Sequence, residues 1–432
     1  MSPIIIGIMA FIVLFTLLAF GLPIGFGMAL VGFLGFGYLV SIGAAVAKMG
    51  FIPFETVSSY DMAVLPLFLL MAQVTFVTGL GKDLYNLASK WLGHQPGGLA
   101  MATTGACAGF SAVSASSMAT AATMGLVALP EMEKYRYDPA LATGCVAAGG
   151  TMGVLIPPSA GLILYGILTE QSIGTLFLAG IIPGILEAVF YIATIYILCL
   201  WKPSLGPRGP RVPFKEKLLA FKDCGEIIGL VILILGGLFA GLVTPTEAGA
   251  VGAFGAIGFS LFRKRLTWSK LGKACIETVR MAGMIYFIMI GAFIFNYFLA
   301  VTTIPTWLAE VIEGLPLPPL AIILLIMMVY LVLGCFMDTL AMILLTIPIF
   351  YPLVVGLGFN PIWFGVIMVR MTEIAMITPP IGMNVYIIAG VAPEVPMQTI
   401  FKGIFPFLIA DTLHVTLLLA VPQVVLFLPS IM

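Results

Sequence analysis

Two polar positions inside apolar sequence carry the residue types that bind a hard cation. Ser116 lies in Ser111–Thr123, where eleven of thirteen residues are Ala, Ser or Thr, and Asp338 lies in the short run Gly334–Thr339. They are 222 residues apart, and the same offset relates Pro23 to Pro245, Pro96 to Pro318, Pro130 to Pro352, Pro139 to Pro361 and the doublet Pro157-Pro158 to Pro379-Pro380. Gly27/Gly249 and Ala119/Ala341 keep the register. Six proline pairs at one offset stand against roughly one expected by chance from 29 prolines in 432 residues. The chain repeats itself, and what it repeats are helix breakers within apolar segments. In a membrane chain, paired interrupted helices point at a binding site near the midplane.

Irregular backbone survives in hydrocarbon only where protein or a water-filled cavity covers it. Four irregular places are expected: hairpin tips at Gly109–Ser117 and Gly334–Thr339, and helix breaks at Ile156–Ser159 and Thr378–Asn384. A half-helix that starts there offers N–H groups and a positive dipole end to a carboxylate, and one that ends there offers carbonyls to a cation. Hydroxyl and carboxylate oxygens complete a hard-cation shell. Ser114, Ser116, Ser117, Gly334, Asp338 and Thr339 are the tip candidates, and Ser111 lies one turn before the first tip. Thr151, Pro157, Pro158 and Ser159 belong to the first break, and Thr378, Pro379 and Asn384 to the second.

Each candidate has a structural alternative. Ser and Ala runs also let membrane helices approach closely and bond across interfaces. Asp338 resists that account, because an ionisable group deep in a span is costly and marks function. Arg370 and Glu373 are spaced i, i+3 and could form a buried structural pair, or Arg370 could hold a substrate carboxylate bidentately. Glu247, in Thr244-Pro245-Thr246-Glu247, suits a helix N-terminus. Glu187, Asp411 and His414 lie in spans and suit scaffold packing more than a proton relay, and His94 suits a solvated loop edge.

The elements that must position these residues are membrane helices. The chain is 61% hydrophobic and 9% charged, far from the ~25% charged residues of a soluble domain. In the first half, spans are expected at 3–22, 24–44, 62–80, 139–169 (broken at Pro157-Pro158) and 173–201, with a polar loop around Lys48, Glu55 and Asp61 and a re-entrant hairpin at 97–130. The N-terminus lacks a basic n-region and reads as a first span. Residues 202–222, with four prolines and six Lys/Arg, read as a linker. The second half mirrors the first with spans at 226–244, 246–262, 277–301, 361–392 (broken) and 402–430 and a hairpin at 317–352. The expected fold is therefore all-α and integral to the membrane, in two repeats, 1–201 and 223–432. Five crossings per half would invert the second repeat. A cytoplasmic linker then places all Lys/Arg except Lys48 and Arg370 on the cytoplasmic side, as the positive-inside rule favours.

Zero net charge implies no nucleic-acid partner. No Walker loop, dinucleotide fingerprint, HExxH or Cys/His cluster is present, so the chain is expected to be neither an enzyme nor an ATPase. Six scattered cysteines read as packing residues.

The stretches Gly150–Ser159 and Glu373–Asn384, the Ser-rich tip followed by Leu129-Pro130-Glu131-Met132, and Met337-Asp338-Thr339 followed by Ile347-Pro348-Ile349 together resemble the large membrane subunit of TRAP (tripartite ATP-independent periplasmic) transporters, over essentially the whole chain. That resemblance implies an elevator-type, Na⁺-driven importer of organic acid anions in the bacterial inner membrane. It implies a separate small four-helix membrane subunit and a periplasmic substrate-binding protein as partners. Family Na⁺ sites at tips and breaks would fall on Ser114, Ser116, Ser117, Asp338, Thr378 and Pro379 with neighbouring carbonyls. A stand-alone Na⁺/carboxylate symporter or antiporter is the alternative.

Overall fold

The computed structural model describes residues 2–313 and 317–431, and among these there are helices but no strands. The first half comprises α1 (Pro3–Ala19), α2 (Ile24–Leu39), α3 (Ile42–Ser58), α4 (Val64–Thr78), α5 (Leu80–Leu92), α6 (Gly98–Ser114), α7 (Ser117–Lys134), α8 (Pro139–Gly150), α9 (Met152–Leu155), α10 (Ala160–Thr169) and α11 (Ile173–Trp201). After α12 (Phe214–Asp223) come α13 (Gly225–Phe239), α14 (Pro245–Phe262), α15 (Trp268–Thr302), α16 (Ile304–Glu313), α17 (Pro319–Leu333), α18 (Thr339–Gly356), α19 (Pro361–Ala375), α20 (Met383–Val391), α21 (Met397–Ala420) and α22 (Gln423–Leu426). Six helical stretches are long and apolar enough to cross a bilayer, and four shorter apolar helices accompany them.

Several helix starts follow from local chemistry repeated in both halves. Asp138 accepts from the amides of Ala140 and Leu141, with Pro139 as the first helical residue of α8. Asn360 does the same for Ile362 and Trp363 ahead of Pro361 in α19. An N-cap oxygen satisfies orphan amides, and proline at the first position loses no bond. Thr244 and Glu247 form a complete capping box at α14. The first residues of α7 and α18, Ser117 and Thr339, stand at the repeat offset.

Two expectations need correction. The polar loop around Lys48 and Glu55 is the helix α3, because Ala45, Ile52 and Thr56 fall on one face and are buried. Only Ser59, after it, is extended. The corresponding stretch of the second half lacks that interruption, and α15 runs unbroken for 35 residues, about 52 Å at 1.5 Å per residue. Most of the second part of the expected linker 202–222 lies in α12. Residues 202–213 are irregular but bonded to the base of the first hairpin: Gly97 N donates to Gly206 O (2.9 Å), Asp138 N to Leu205 O (3.0 Å) and Gly209 N to Gly93 O (2.8 Å). The last span ends at Ala420, ahead of Pro422, rather than near 430.

The two halves interlock. α2 packs on α15 and α14 on α4; α8 packs on α21 and α11 on α19; α7 packs on α20 and α10 on α18. Glycines permit the closest crossings. A Cβ on Gly291 would lie 2.1 Å from the Gly25 carbonyl oxygen, and one on Gly403 would lie 1.8 Å from that of Ala140. In a membrane such close approach is the main source of helix–helix affinity.

Candidate functional site

The first hairpin reverses within two residues. α6 continues to Ser114, so the tip is narrower than Gly109–Ser117. Ala115 adopts a left-handed φ of 51°, and Ser116 is extended and caps α7 through Ala119 N (3.3 Å). A non-glycine residue in that region costs on the order of 1–3 kcal/mol and persists where its surroundings hold it. Here the clamp is Gly153: a Cβ at that position would lie 2.6 Å from the Ser116 carbonyl oxygen. The second hairpin turns more slowly, from Gly334 to Asp338. Its backbone is approached by Ala375, whose Cβ would sit 2.1 Å from a Cβ on Gly334. Gly153 and Ala375 are repeat mates, so each broken helix abuts one tip. In the first contact the broken helix lacks the Cβ; in the second the hairpin lacks it.

The tips meet. A cavity of about 70 Å³ is lined by Ser116, Ser117, Asp338 and Thr339, by Met376 at the second break, and by Leu69 of α4 and Met284 of α15. Beside it, Glu373 joins the hairpins. Thr339 Oγ1 donates to Glu373 Oε1 at 2.8 Å, and Ser117 Oγ donates to Glu373 Oε2. Glu373 is fully buried, and among the described residues no Lys, Arg or His pairs with it. Its carboxylate is held by two hydroxyls at the N-terminal turns of two helices, where positive dipole ends favour negative charge. Asp338, half-buried, makes no side-chain cap to α18. The oxygens of Asp338, Ser116, Ser117 and Thr339 around a small cavity, backed by a carboxylate without a counter-cation, fit the donor set of a hard monovalent cation.

The other candidates are dispersed. Ser114 bonds Thr120 (2.7 Å), and Ser111 donates back to Cys107 O (2.7 Å). Pro157 and Pro158 are buried, whereas Pro379 and Pro380 are exposed, with Thr378 half-buried between them and α19 and donating to Ile374 O. The first break is covered because Gly180 and Gly184 of α11 let the Leu155–Ile156 backbone approach. Ser159 caps α10 through Leu162 N (3.1 Å). Asn384 donates to Ala147 O (3.4 Å), which ties the second break to α8.

Arg370 does not pair with Glu373. It lies 2.9 Å from Glu187 on α11 and pairs with Asp411 on α21; Nη2 also donates to Tyr191 Oη (3.3 Å) and Nε to His414 Nδ1 (3.3 Å). The sequence reading missed both halves of this arrangement. In the sequence Glu373, the mate of Thr151, stands only as a partner of Arg370, and Glu187, Asp411 and His414 as packing residues more than a proton relay, with no link to Arg370. The usable signal was that Glu187 and Asp411 sit in the mutually corresponding spans α11 and α21.

Residues 11–424 match the family described as "Tripartite ATP-independent periplasmic transporter, DctM component". The large permease protein DctM of a C4-dicarboxylate TRAP transporter from Pseudomonas aeruginosa is 36% identical over 378 residues, 87% of this chain and 88% of that protein. The sialic acid TRAP transporter large permease SiaM of Vibrio cholerae is 30% identical over 418 residues, 96% of each chain. The isethionate permease DctMQ of Oleidesulfovibrio alaskensis is 32% identical over 96% of this chain but only 64% of its own length. The crystal structure of the YdaH transporter of Alcanivorax borkumensis matches with a TM-score of 0.59 at 15% identity, over 87% of this chain and 86% of that one, a likeness of fold alone. With the family matched along nearly its whole length and the fold that of a multi-pass helical membrane protein, this chain belongs to the DctM component family of TRAP transporters, a permease and not an enzyme.

Proposed function

We propose that this permease is the membrane-embedded transport subunit of a Na⁺-coupled importer of organic acid anions in the bacterial inner membrane. It works with a periplasmic substrate-binding protein and a small four-helix membrane subunit. The relatives' names span C4-dicarboxylates, sialic acid, 2,3-diketo-L-gulonate and isethionate. Their common chemistry is a small organic anion. Relatives longer than this chain, DctMQ among them, agree with a second membrane component in such transporters.

The observation that carries this reading is the closure of both hairpin tips on Glu373 beside a cavity lined by Ser116, Ser117, Asp338 and Thr339. Na⁺ bound among those oxygens would supply the positive charge that the buried carboxylates lack. It would order both tips at once and so bias the state that accepts an anion. The two halves act as inverted repeats. Hairpins and broken helices move as one body against α2, α4, α14 and α15, the elevator arrangement. Arg370, already engaged by two carboxylates, positions α19 rather than holding the substrate.

The test is uptake of labelled organic acids into proteoliposomes, with and without an inward Na⁺ gradient, using the chain alone and with its two partners. Na⁺-dependent uptake only in the complete mixture is expected. Uptake by the chain alone would replace this reading with a stand-alone symporter.

A further inference from the structure

We propose that Glu187 is a proton-binding site, occupied in this conformation, distinct from the tip site and independent of Na⁺. Thr151 Oγ1 lies 2.6 Å from Ala148 O, 2.8 Å from Glu187 Oε1 and 3.2 Å from Tyr191 Oη, and Tyr191 Oη lies 2.7 Å from Asp411 Oδ1. A carbonyl and an ionised carboxylate only accept, and each hydroxyl has one hydrogen. With the Thr151 hydrogen on the nearer carbonyl of Ala148 and the Tyr191 hydrogen on Asp411, both hydroxyl hydrogens are used. The short Thr151–Glu187 contact is then left without a hydrogen unless Glu187 itself carries it and donates to Thr151.

Charge leads to the same assignment. Arg370, Glu187, Asp411 and His414 are all within 1% of complete burial. One guanidinium faces two carboxylates, and His414 Nδ1 accepts from Arg370 Nε, so the imidazole is neutral there. With both acids ionised the cluster would hold one uncompensated buried negative charge, which proteins avoid by neutralising a group. Arg370 chooses between the acids by geometry. It hydrogen-bonds Asp411, but its Nη1 approaches Glu187 Oε1 without hydrogen-bond alignment. Glu187 Oε2, Asp411 Oδ2 and His414 Nε2 have no partner among the described residues. The groups facing Glu187 are Arg370 on α19, with Glu373 one turn on, Tyr191 on its own helix and Asp411 and His414 on α21; α8 and α9 present only Thr151. Thr151 at the end of α8 links Glu187 to the segment whose Gly150 and Gly153 back the first hairpin tip.

The test is infrared difference spectroscopy of the full-length chain in lipid, without Na⁺ or substrate, following the C=O stretch of protonated carboxyls as pH is raised. A band that disappears at alkaline pH, is absent in Glu187→Gln, persists in Asp411→Asn and moves to higher frequency in Thr151→Val is expected. Loss of the Thr151 hydroxyl removes a hydrogen bond from Glu187 and shifts the band only if the protonated carboxyl is Glu187, so Thr151→Val keeps the proposal testable should Glu187→Gln fail to insert. A band unchanged in Glu187→Gln and Thr151→Val, or no protonated-carboxyl band in the native chain, overturns the assignment. Neither outcome depends on whether Na⁺ drives uptake.

Discussion

Arg370 and Glu373 are one turn apart on α19, both fully buried, and they have opposite surroundings. Arg370 meets two carboxylates, a phenol and an imidazole from α11 and α21. Glu373 meets two hydroxyls from α7 and α18 and, among the described residues, no cationic side chain. A buried guanidinium already flanked by two acids has little left to offer a ligand and fixes helices to each other. A buried carboxylate held only by hydroxyls keeps the capacity to take a cation, as the proposed function requires. Proximity along the helix therefore says little about role, and the origin of the partners says much: those of Arg370 come from long spans, those of Glu373 from hairpin tips.

The contrast can be broken most severely at Arg370. Arg370→Met strands its acidic partners without a cation, and a loss of about 3–5 kcal/mol is expected, seen as a lowered unfolding temperature in detergent. Adding Asp411→Asn should recover much of it; a double variant no more stable than the single one would argue against the pairing. Glu373→Gln should leave the unfolding temperature nearly unchanged and act on function. Losing a charged acceptor is worth about 1.5–3 kcal/mol, which is roughly a tenfold to hundredfold weakening of the Na⁺ dependence of uptake. Thr339→Val and Ser117→Ala each remove one donor and should each weaken Na⁺ dependence by about 1–2 kcal/mol. Because they share one carboxylate, their double variant should be less than additive. Finally, Gly334→Ala should cost about 1–3 kcal/mol through its collision with Ala375, and Ala375→Gly in the same chain should restore stability and uptake. At the surface, the Arg265–Asp83 pair supplies a control. Asp83→Asn should cost under about 1 kcal/mol and leave Na⁺ dependence unchanged.

Much of the scaffold was legible because its signals are local. Proline and glycine punctuate hydrophobic runs, Asp138 and Asn360 announce helix starts, and apolar length sets what can span. The second tip, Gly334 to Asp338, could be read directly. The first was narrower than expected, because a run of Ala and Ser gives no cue to where α6 ends; Ala115 turns only under the constraint of Gly153. The loop expected around Lys48 failed for a related reason. Its charges are spaced to leave one helical face apolar, and burial of Ala45, Ile52 and Thr56 outweighs them.

The sequence by itself determined that this chain lies in a membrane, that it repeats at one offset, and that its helices are interrupted at matching places, because composition and backbone breakers act within a few residues of themselves. Only the tertiary structure decided that Glu373 serves both tips, that Arg370 belongs to Glu187 and Asp411, and that one break is buried and the other exposed. Those choices rest on contacts between residues up to 256 positions apart, and a long side chain on one turn can reach any of several helices until packing selects among them.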